Sequence, residues 1–174
     1  NVKEYSSWAK TEVAAAGEHG LTESFSYPRL DITRENFTML AMNLYNKIYP
    51  NKEIPALETK FTDCRDDPNV NNAAALGIVT GYEDGTFRPM EEISRQDMAL
   101  MLQRYAKTVK GTDTTPTGDL SRWPDAGQVG SWAVDALRWC VGAGIINGKD
   151  GGLQPTGNAT RAEFATILMR YAKL

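Results

Sequence analysis

Cysteine and histidine are almost missing from this chain, whose 174 residues include only Cys64, Cys140 and His19. Because 75 residues separate the two cysteines and no C-x-x-C pair occurs, the sequence excludes a four-thiolate metal site and a disulfide framework. With a single histidine, the chain has few imidazole groups from which to build a metal site or a nucleophile–base pair. We therefore expect no metal and no organic cofactor, and we expect Cys140, in an apolar run, to be buried.

Basic stripes and long apolar runs are also missing. The chain carries 19 basic and 22 acidic residues, a formal net charge of −3, and no concentrated positive patch of the kind that neutralises phosphates, so we expect no nucleic-acid partner. Its apolar runs fall short of the ~20 residues that span a bilayer, so we expect a soluble piece without membrane insertion. Residues 1–5 resemble neither a signal peptide nor a transit peptide, so an export signal is expected outside this chain.

What the sequence does contain is an internal repeat with an offset of 66 to 67 residues. Residues 77–89 align with residues 144–155 after one deletion, and Arg95 and Arg161 each follow the last proline of these segments by six residues. Nine residues after each arginine the chain reads Arg-Tyr-Ala-Lys. A third, weaker copy surrounds residues 32–35, which read Ile-Thr-Arg-Glu. We therefore predict one unit over residues 1–174 with repeats at 5–45, 61–107 and 123–173, separated by loops at 50–60 and 111–118.

Each copy has the pattern of two helices. The first helix is rich in alanine and stops at a glycine suited to a left-handed cap; these glycines are Gly20, Gly77 and Gly144. It should span residues 132–143 in copy three and be short in copy two, where Pro68 intervenes. The second helix opens on a hydroxyl N-cap: Thr33, Ser94 or Thr160.

Apolar residues follow each of these caps at helical spacing, so the sequence predicts three amphipathic helices that pack against one another in an all-α, mainly helical fold. The three stripes are Phe37, Leu40, Ala41 and Leu44; Met98, Met101, Leu102 and Tyr105; and Phe164, Ile167, Leu168 and Tyr171.

The combined pattern resembles the S-layer homology (SLH) repeat. It reads Gly-Ile-x-x-Gly-Tyr-x-Asp-Gly-Thr-Phe-x-Pro in copy two, followed by Ile-Ser-Arg, and three tandem copies are the arrangement usual for that family. Copy one departs from the pattern because it lacks the Asp-Gly-Thr turn, and copy three has Gly152 and Leu153 in place of threonine and phenylalanine. The resemblance implies a pseudo-threefold arrangement of three helix-loop-helix repeats around a central three-helix bundle.

The resemblance also implies a function at the bacterial cell surface, in the cell wall or S-layer. Chains of this kind are non-covalent anchors, and the grooves between neighbouring repeats hold secondary cell-wall polysaccharide. In many members that glycan is capped by a pyruvylated sugar, which carries a carboxylate. The expected partner is therefore this polysaccharide, and the chain is expected to be a monomeric unit attached to a larger protein.

Three arginines, Arg34, Arg95 and Arg161, open the second helices. The positive end of the helix dipole disfavours a cation there by ~0.3–1 kcal/mol, so their recurrence calls for a reason. A helix start with free amide donors beside a guanidinium suits a carboxylate or phosphate, whereas an ion pair with Asp84 or Asp150 would make the arginines structural. Because copy one lacks the glycine turn, the sequence predicts that Arg34→Ala weakens binding less than Arg95→Ala or Arg161→Ala.

The other candidate ligand-binding residues are Trp8, Trp132, Asp84, Gly85, Thr86, Asp150, Gly151 and Lys149. Each tryptophan could offer a ring face to a sugar or could be a packing anchor. The Asp-Gly turns could contact a glycan through their backbone or could only form the turn. Lys149 replaces the tyrosine of copy two and could attract an anionic glycan or simply be solvated.

Two other classes of function compete with an anchor. Catalysis is not expected, because the nucleophile-elbow and zinc-protease motifs are absent and the recurrent acidic residues lie at turns and caps. A protein–protein or self-assembly module of the cell surface, using the same grooves, stays open. The sequence therefore predicts a binding module without catalytic or metal residues.

Overall fold

The computed structural model describes residues 29–58 and 60–172, and every structural statement below concerns these ranges. They contain five α-helices: α1 (Arg34–Ile48), α2 (Pro68–Ala75), α3 (Arg95–Lys110), α4 (Val134–Gly142) and α5 (Arg161–Tyr171). Two short 3-10 helices, Ala126–Gln128 and Ser131–Ala133, precede α4. Only isolated β-bridges, and no β-strand, occur in these ranges, so the prediction of a mainly helical fold is confirmed.

The chain divides into two compact units. Within the described ranges, unit 1 comprises residues 29–32, 93–100 and 115–172, and unit 2 comprises residues 33–58, 60–92 and 101–114. Helix α3 supplies its first turns to unit 1 and the remainder to unit 2, while the loops at 50–58 and 111–118 contain no helix, as predicted. The pseudo-threefold arrangement and the domain boundaries stay predictions.

In unit 1, helix α5 starts at a complete capping box. The Thr160 side chain accepts from the Glu163 backbone N–H, and the Glu163 carboxylate accepts from the Thr160 backbone N–H. The apolar stripe of α5 is buried, and the Tyr171 ring meets Trp139 of α4 edge-on at 6.3 Å between centroids. Cys140, also on α4, is fully buried, as the sequence predicts.

In unit 2, helix α1 is capped by Thr33 and helix α2 by Asp67, with Pro68 at the first position of α2. Helices α1 and α2 pack against each other. The predicted stripe of α1 is buried except for Leu44, which is half-buried. The Tyr49 hydroxyl, just past α1, donates to the Val109 carbonyl oxygen at 3.0 Å and so ties the end of α1 to the end of α3.

One predicted helix begins later than its sequence pattern indicates. Helix α4 starts at Val134, not at Trp132, because the residues before it form a 3-10 turn in which the Ala133 N–H donates to the Gly130 carbonyl. Two of the predicted glycine caps are confirmed, since Gly77 and Gly144 have φ of 72° and 70°, and the third, Gly20, lies outside the described residues. No helix in residues 29–58 and 60–172 has the length and apolar character needed to cross a membrane.

Candidate functional site

The amide donors at the starts of α1 and α3 are already used. The Arg34 and Glu35 N–H groups donate to the Glu91 and Pro89 carbonyls, both at 2.9 Å. At the start of α3 the Arg95 and Gln96 N–H groups donate to the Gly157 and Pro155 carbonyls. The expectation of free amides at these helix starts is therefore wrong, because a loop of the following repeat satisfies them. Any anion recognition here must come from side chains.

In unit 1 the guanidinium of Arg95 is buried beneath the turn of repeat three. Its Nε–H donates to the Leu153 carbonyl at 2.9 Å, and its Nη1 lies 3.3 Å from Oε1 of Glu163. Both side chains are only 5% exposed. The ion-pair alternative therefore holds for Arg95, with the difference that its partner is Glu163 and not Asp150.

The same oxygen of Glu163 also forms an ion pair with Lys149, whose Nζ lies 2.9 Å away. Burial would raise the pKa of Glu163, but the Thr160 N–H, Lys149 and the charge of Arg95 outweigh it and hold that pKa below its usual value. Burial lowers the pKa of Arg95 and outweighs the negative charge of Glu163, which by itself would raise that pKa. The three groups thus form one charge cluster in which a single carboxylate pairs with two cations, the buried Arg95 and the partly exposed Lys149.

An open cavity of about 300 Å³ lies over this cluster. Its charged lining consists of three cations and two carboxylates, a formal excess of one positive charge: Arg95, Lys149, Arg170, Asp150 and Glu163. Arg170 is held by a hydrogen bond from Nη1 to the Ile145 carbonyl at 3.2 Å. Asn147 and Thr166 add polar side chains. The cavity can accept a small ligand that has an anionic group.

In unit 2, Arg34 occupies the position that corresponds to Arg95, and it lies against the turn of repeat two. Its Nε–H donates to the Phe87 carbonyl at 2.7 Å and its Nη2 to the Thr80 carbonyl at 2.8 Å. The guanidinium also lies over the rings of Phe87 and Tyr82, at 4.5 and 5.0 Å from their centroids. The expectation that Arg34 has no glycine turn is thus wrong, because the next repeat supplies one.

A second arginine, Arg104, lies close to Arg34. Its Nη1 donates to the Thr80 hydroxyl at 3.2 Å. Burial, and then the like charge of Arg34, lower the pKa of Arg104. In the described part of the chain no carboxylate forms an ion pair with either arginine. Unit 2 therefore presents two neighbouring cations that no carboxylate neutralises within the described ranges.

Two aspartates that sequence reasoning missed shape both sites. Asp63 accepts from the Phe87 and Arg88 N–H groups at 2.9 and 2.8 Å. Asp125 accepts from the Leu153 and Gln154 N–H groups at 2.8 and 2.7 Å, and these hydrogen bonds lower its pKa. The second residue of each pair, Arg88 or Gln154, has a positive φ that costs a non-glycine residue energy. The repeated aromatic-x-Asp motif, at 61–63 and 123–125, is the signal that could have revealed them.

Removing the Asp125 carboxylate should therefore loosen the turn of repeat three. We expect Asp125→Ala to lower the free energy of unfolding by about 2 kcal/mol, because it removes an ionised acceptor of two backbone N–H groups. Thermal unfolding followed by circular dichroism measures this, with exposed Asp119→Ala, which forms only a local hydrogen bond, as control. Equal melting temperatures for the two variants would contradict the role given to Asp125.

The turn residues of copy two contact one another. Asp84 accepts from the Thr86 N–H and hydroxyl at 3.0 and 2.6 Å and pairs with Arg88 at 3.0 Å, which lowers the pKa of Asp84 to about 2. Gly85 has a φ of 78°, as a glycine turn requires. The side chains of Asp84 and Arg88 are exposed and that of Thr86 is half-buried. Their contacts with one another agree with the interpretation that these residues form the turn.

The other predicted site residues fall in different places. Asp150 and Lys149 line the cavity, while the adjacent Gly151 has a φ of 82° in the turn. Trp132 is 51% exposed, so its ring is accessible to solvent. The backbone N–H of Arg161 donates to the Leu30 carbonyl at 2.9 Å. Trp8 lies outside the described residues.

Parts of the second and third repeats are similar to a known protein family. Residues 61–99 and 124–165 match the family model described as "S-layer homology domain". Both matches include the glycine turn and the start of the second helix, and the first also includes the complete aromatic-x-Asp motif at 61–63, whereas the second begins one residue after Trp123. The first repeat lies outside these matches, so three tandem repeats stay a prediction.

Several curated proteins are similar to this chain. Cell surface glycoprotein 1 of Acetivibrio thermocellus is 30% identical over 107 residues, which cover 61% of this chain and 4% of the relative. An amylopullulanase of Thermoanaerobacterium thermosulfurigenes is 26% identical over 92% of this chain and 9% of its own length. An S-layer protein of Bacillus thuringiensis subsp. finitimus is 27% identical over 61% of this chain and 12% of its own. The chain thus spans a small part of larger relatives and contains two segments that match the S-layer homology domain.

Proposed function

We propose that this chain is a non-covalent anchoring module of the bacterial cell surface, located outside the cell in the wall or S-layer. Its ligand is secondary cell-wall polysaccharide, recognised through an anionic group such as the carboxylate of a pyruvylated sugar. The module has no catalytic role and is attached to a larger protein. The occurrence of similar segments as small parts of larger surface proteins and of an amylopullulanase supports this proposal.

One observation carries the proposal: two repeats build the same kind of cationic site. In each, the arginine that opens one helix lies beneath the glycine turn of the next repeat, and the Arg-Tyr-Ala-Lys arginine lies near that turn. Neither arrangement is needed to form the helices, because the caps and apolar stripes do that. A binding role explains why two arginines recur together at each site.

The two sites offer complementary chemistry for a charged glycan. The planar guanidinium groups can donate paired hydrogen bonds to a carboxylate. Arg104 uses one of its five N–H donors in the hydrogen bond to Thr80, so further donors are available for a ligand. The cavity of unit 1, at about 300 Å³, has the volume of a small-ligand site. A terminal sugar with one carboxylate fits these requirements.

Sedimentation with purified wall sacculi tests the proposal. We expect the protein to co-sediment with intact sacculi of a Gram-positive bacterium, to bind less after mild acid has removed ketal-linked pyruvate, and to remain in solution after the polymer itself is stripped. Arg104→Gln should reduce co-sedimentation, whereas Lys107→Gln, an exposed neighbour one turn along α3, should not. Undiminished binding to stripped peptidoglycan would refute a polysaccharide ligand, and binding only to purified surface protein would favour the assembly alternative.

A further inference from the structure

The cavity of unit 1 contains an Asn-Gly pair, Asn147 and Gly148, and this is the one Asn-Gly in the sequence. We propose that Asn147 is a site of spontaneous deamidation that adds a carboxylate to the anion-binding cavity. The chemical step stands independently of the proposed function. Only its consequence for ligand affinity rests on that function.

The geometry leaves the reacting groups available. Asn147 is exposed, and within the described ranges its side-chain amide forms no hydrogen bond. The backbone N–H of Gly148, which is the nucleophile in deamidation, also has no hydrogen-bond acceptor among the described residues. No part of the described structure thus has to be broken to free either group.

The step balances with water as its only co-reactant. The Gly148 nitrogen attacks the Asn147 side-chain carbonyl carbon, forming a C–N bond in a five-membered imide. The bond to the amide nitrogen breaks, and that nitrogen leaves as ammonia with the proton lost by the backbone. Water then opens either imide carbonyl, which gives an aspartyl or an isoaspartyl residue at position 147.

The fold itself requires a glycine after Asn147, so the labile pair cannot be avoided by changing its second member. Gly148 has a φ of 79°, and a Cβ there would lie 2.3 Å from the Trp123 ring and 2.9 Å from the Gly152 carbonyl. Gly81, its counterpart in repeat two, is equally confined, since a Cβ would lie 2.2 Å from the Phe61 ring. The preceding residue is free to vary, because repeat two has Thr80 there, which cannot deamidate.

Deamidation would change the charge of the cavity. Its lining now has three cations and two carboxylates, and a third carboxylate would cancel the formal excess of one positive charge. The new charge would line the same cavity as Lys149 and would compete with an anionic ligand for the cations there. We expect an anionic ligand to bind about two- to five-fold more weakly to the converted cavity, the effect of one partly solvated charge pair.

The chemical test follows isoaspartate in the native protein. We expect incubation in mildly alkaline buffer to produce ammonia and isoaspartate at position 147, located by peptide mapping, faster than at Asn158, which is also exposed but precedes Ala159. Asn147→Thr, which copies repeat two, should abolish the signal while leaving the melting temperature unchanged. Conversion in the urea-unfolded chain together with none in the native chain would overturn the proposal.

A second measurement tests the consequence separately. Calorimetry with a pyruvylated wall-glycan fragment should show a two- to five-fold weaker affinity for Asn147→Asp, and for aged wild-type protein, than for fresh protein. Equal affinities would overturn the effect on the cavity. If fresh protein does not bind the fragment while isoaspartate still accumulates at position 147, the proposed function fails and the modification site stands.

Discussion

Replacing Glu163 by alanine should lower the free energy of unfolding by about 3–5 kcal/mol, the cost of leaving a buried charge without its partner. Arg95, whose side chain is 5% exposed, would lose its carboxylate, and Lys149 would lose the same contact. The capping box at the start of α5 would open as well. Chemical denaturation followed by tryptophan fluorescence measures this loss.

The chain offers a matched control at the corresponding position of repeat two. Asp97 caps α3 through hydrogen bonds with Ser94 and forms no ion pair within the described ranges. Asp97→Ala should therefore cost only the capping contribution, about 1 kcal/mol. If Glu163→Ala costs no more than Asp97→Ala, the buried ion pairs do not stabilise the fold.

Acid should act on the same carboxylate. Because the folded-state pKa of Glu163 lies below its usual value of 4.5, its contribution is present above that pH and is lost as the pH falls through the lower folded value. Glu163→Gln should make the stability less dependent on pH in this range. The same denaturation series, run at successive acidic pH values, compares the two proteins.

The largest effect on binding should follow the loss of Arg104. We expect Arg104→Gln to weaken the binding of an anionic glycan to unit 2 about 10- to 100-fold, since a hydrogen bond to a charged group contributes ~1.5–3 kcal/mol. Arg104 is the better choice for this test, because its hydrogen bond goes to an exposed hydroxyl, whereas Arg34 also holds the turn of repeat two.

Nuclear magnetic resonance titration with a pyruvylated wall-glycan fragment can follow each site through its own amides. The signals of residues 80–82 report on unit 2, and those of residues 147–149 report on unit 1. Lys107→Gln is the control, and melting curves exclude unfolding. Unchanged affinity at residues 80–82 in a folded Arg104→Gln protein would show that this arginine does not bind the ligand.

The contacts of the two arginines favour a different order of binding effects from the one that the sequence predicts. Arg95 is neutralised by Glu163, whereas Arg34 lies beside Arg104 without an acidic partner in the described ranges. Arg34→Ala is therefore expected to weaken binding at least as much as Arg95→Ala. The same titration decides between the two orders.

Local features of the fold could be predicted because they depend on residues close together in the chain. The capping box of Thr160 and Glu163 spans one turn, and the cap glycines Gly77 and Gly144 need only their own positive φ. The prediction failed where the local signal was incomplete. Helix α4 has no side-chain N-cap to mark its first residue, so the sequence pattern placed its start at Trp132 and not at Val134.

The partners of the arginines could not be predicted in the same way. Arg34 contacts the Thr80 carbonyl 46 positions away, and Arg95 contacts Glu163, which lies 68 positions away. The nearest candidates in the motif, Asp84 and Asp150, form their own turns or line the cavity. Such pairings depend on which repeat packs beneath which turn.

The sequence by itself determined that this chain is a helical repeat protein with arginines at its helix starts, because helix periodicity, caps and glycine turns are encoded within a few neighbouring residues. Only the tertiary structure decided that one arginine is neutralised and the other is not. That difference arises from long-range packing: the longer side chain of Glu163 joins Arg95 and Lys149, whereas no carboxylate among the described residues pairs with Arg34 or Arg104.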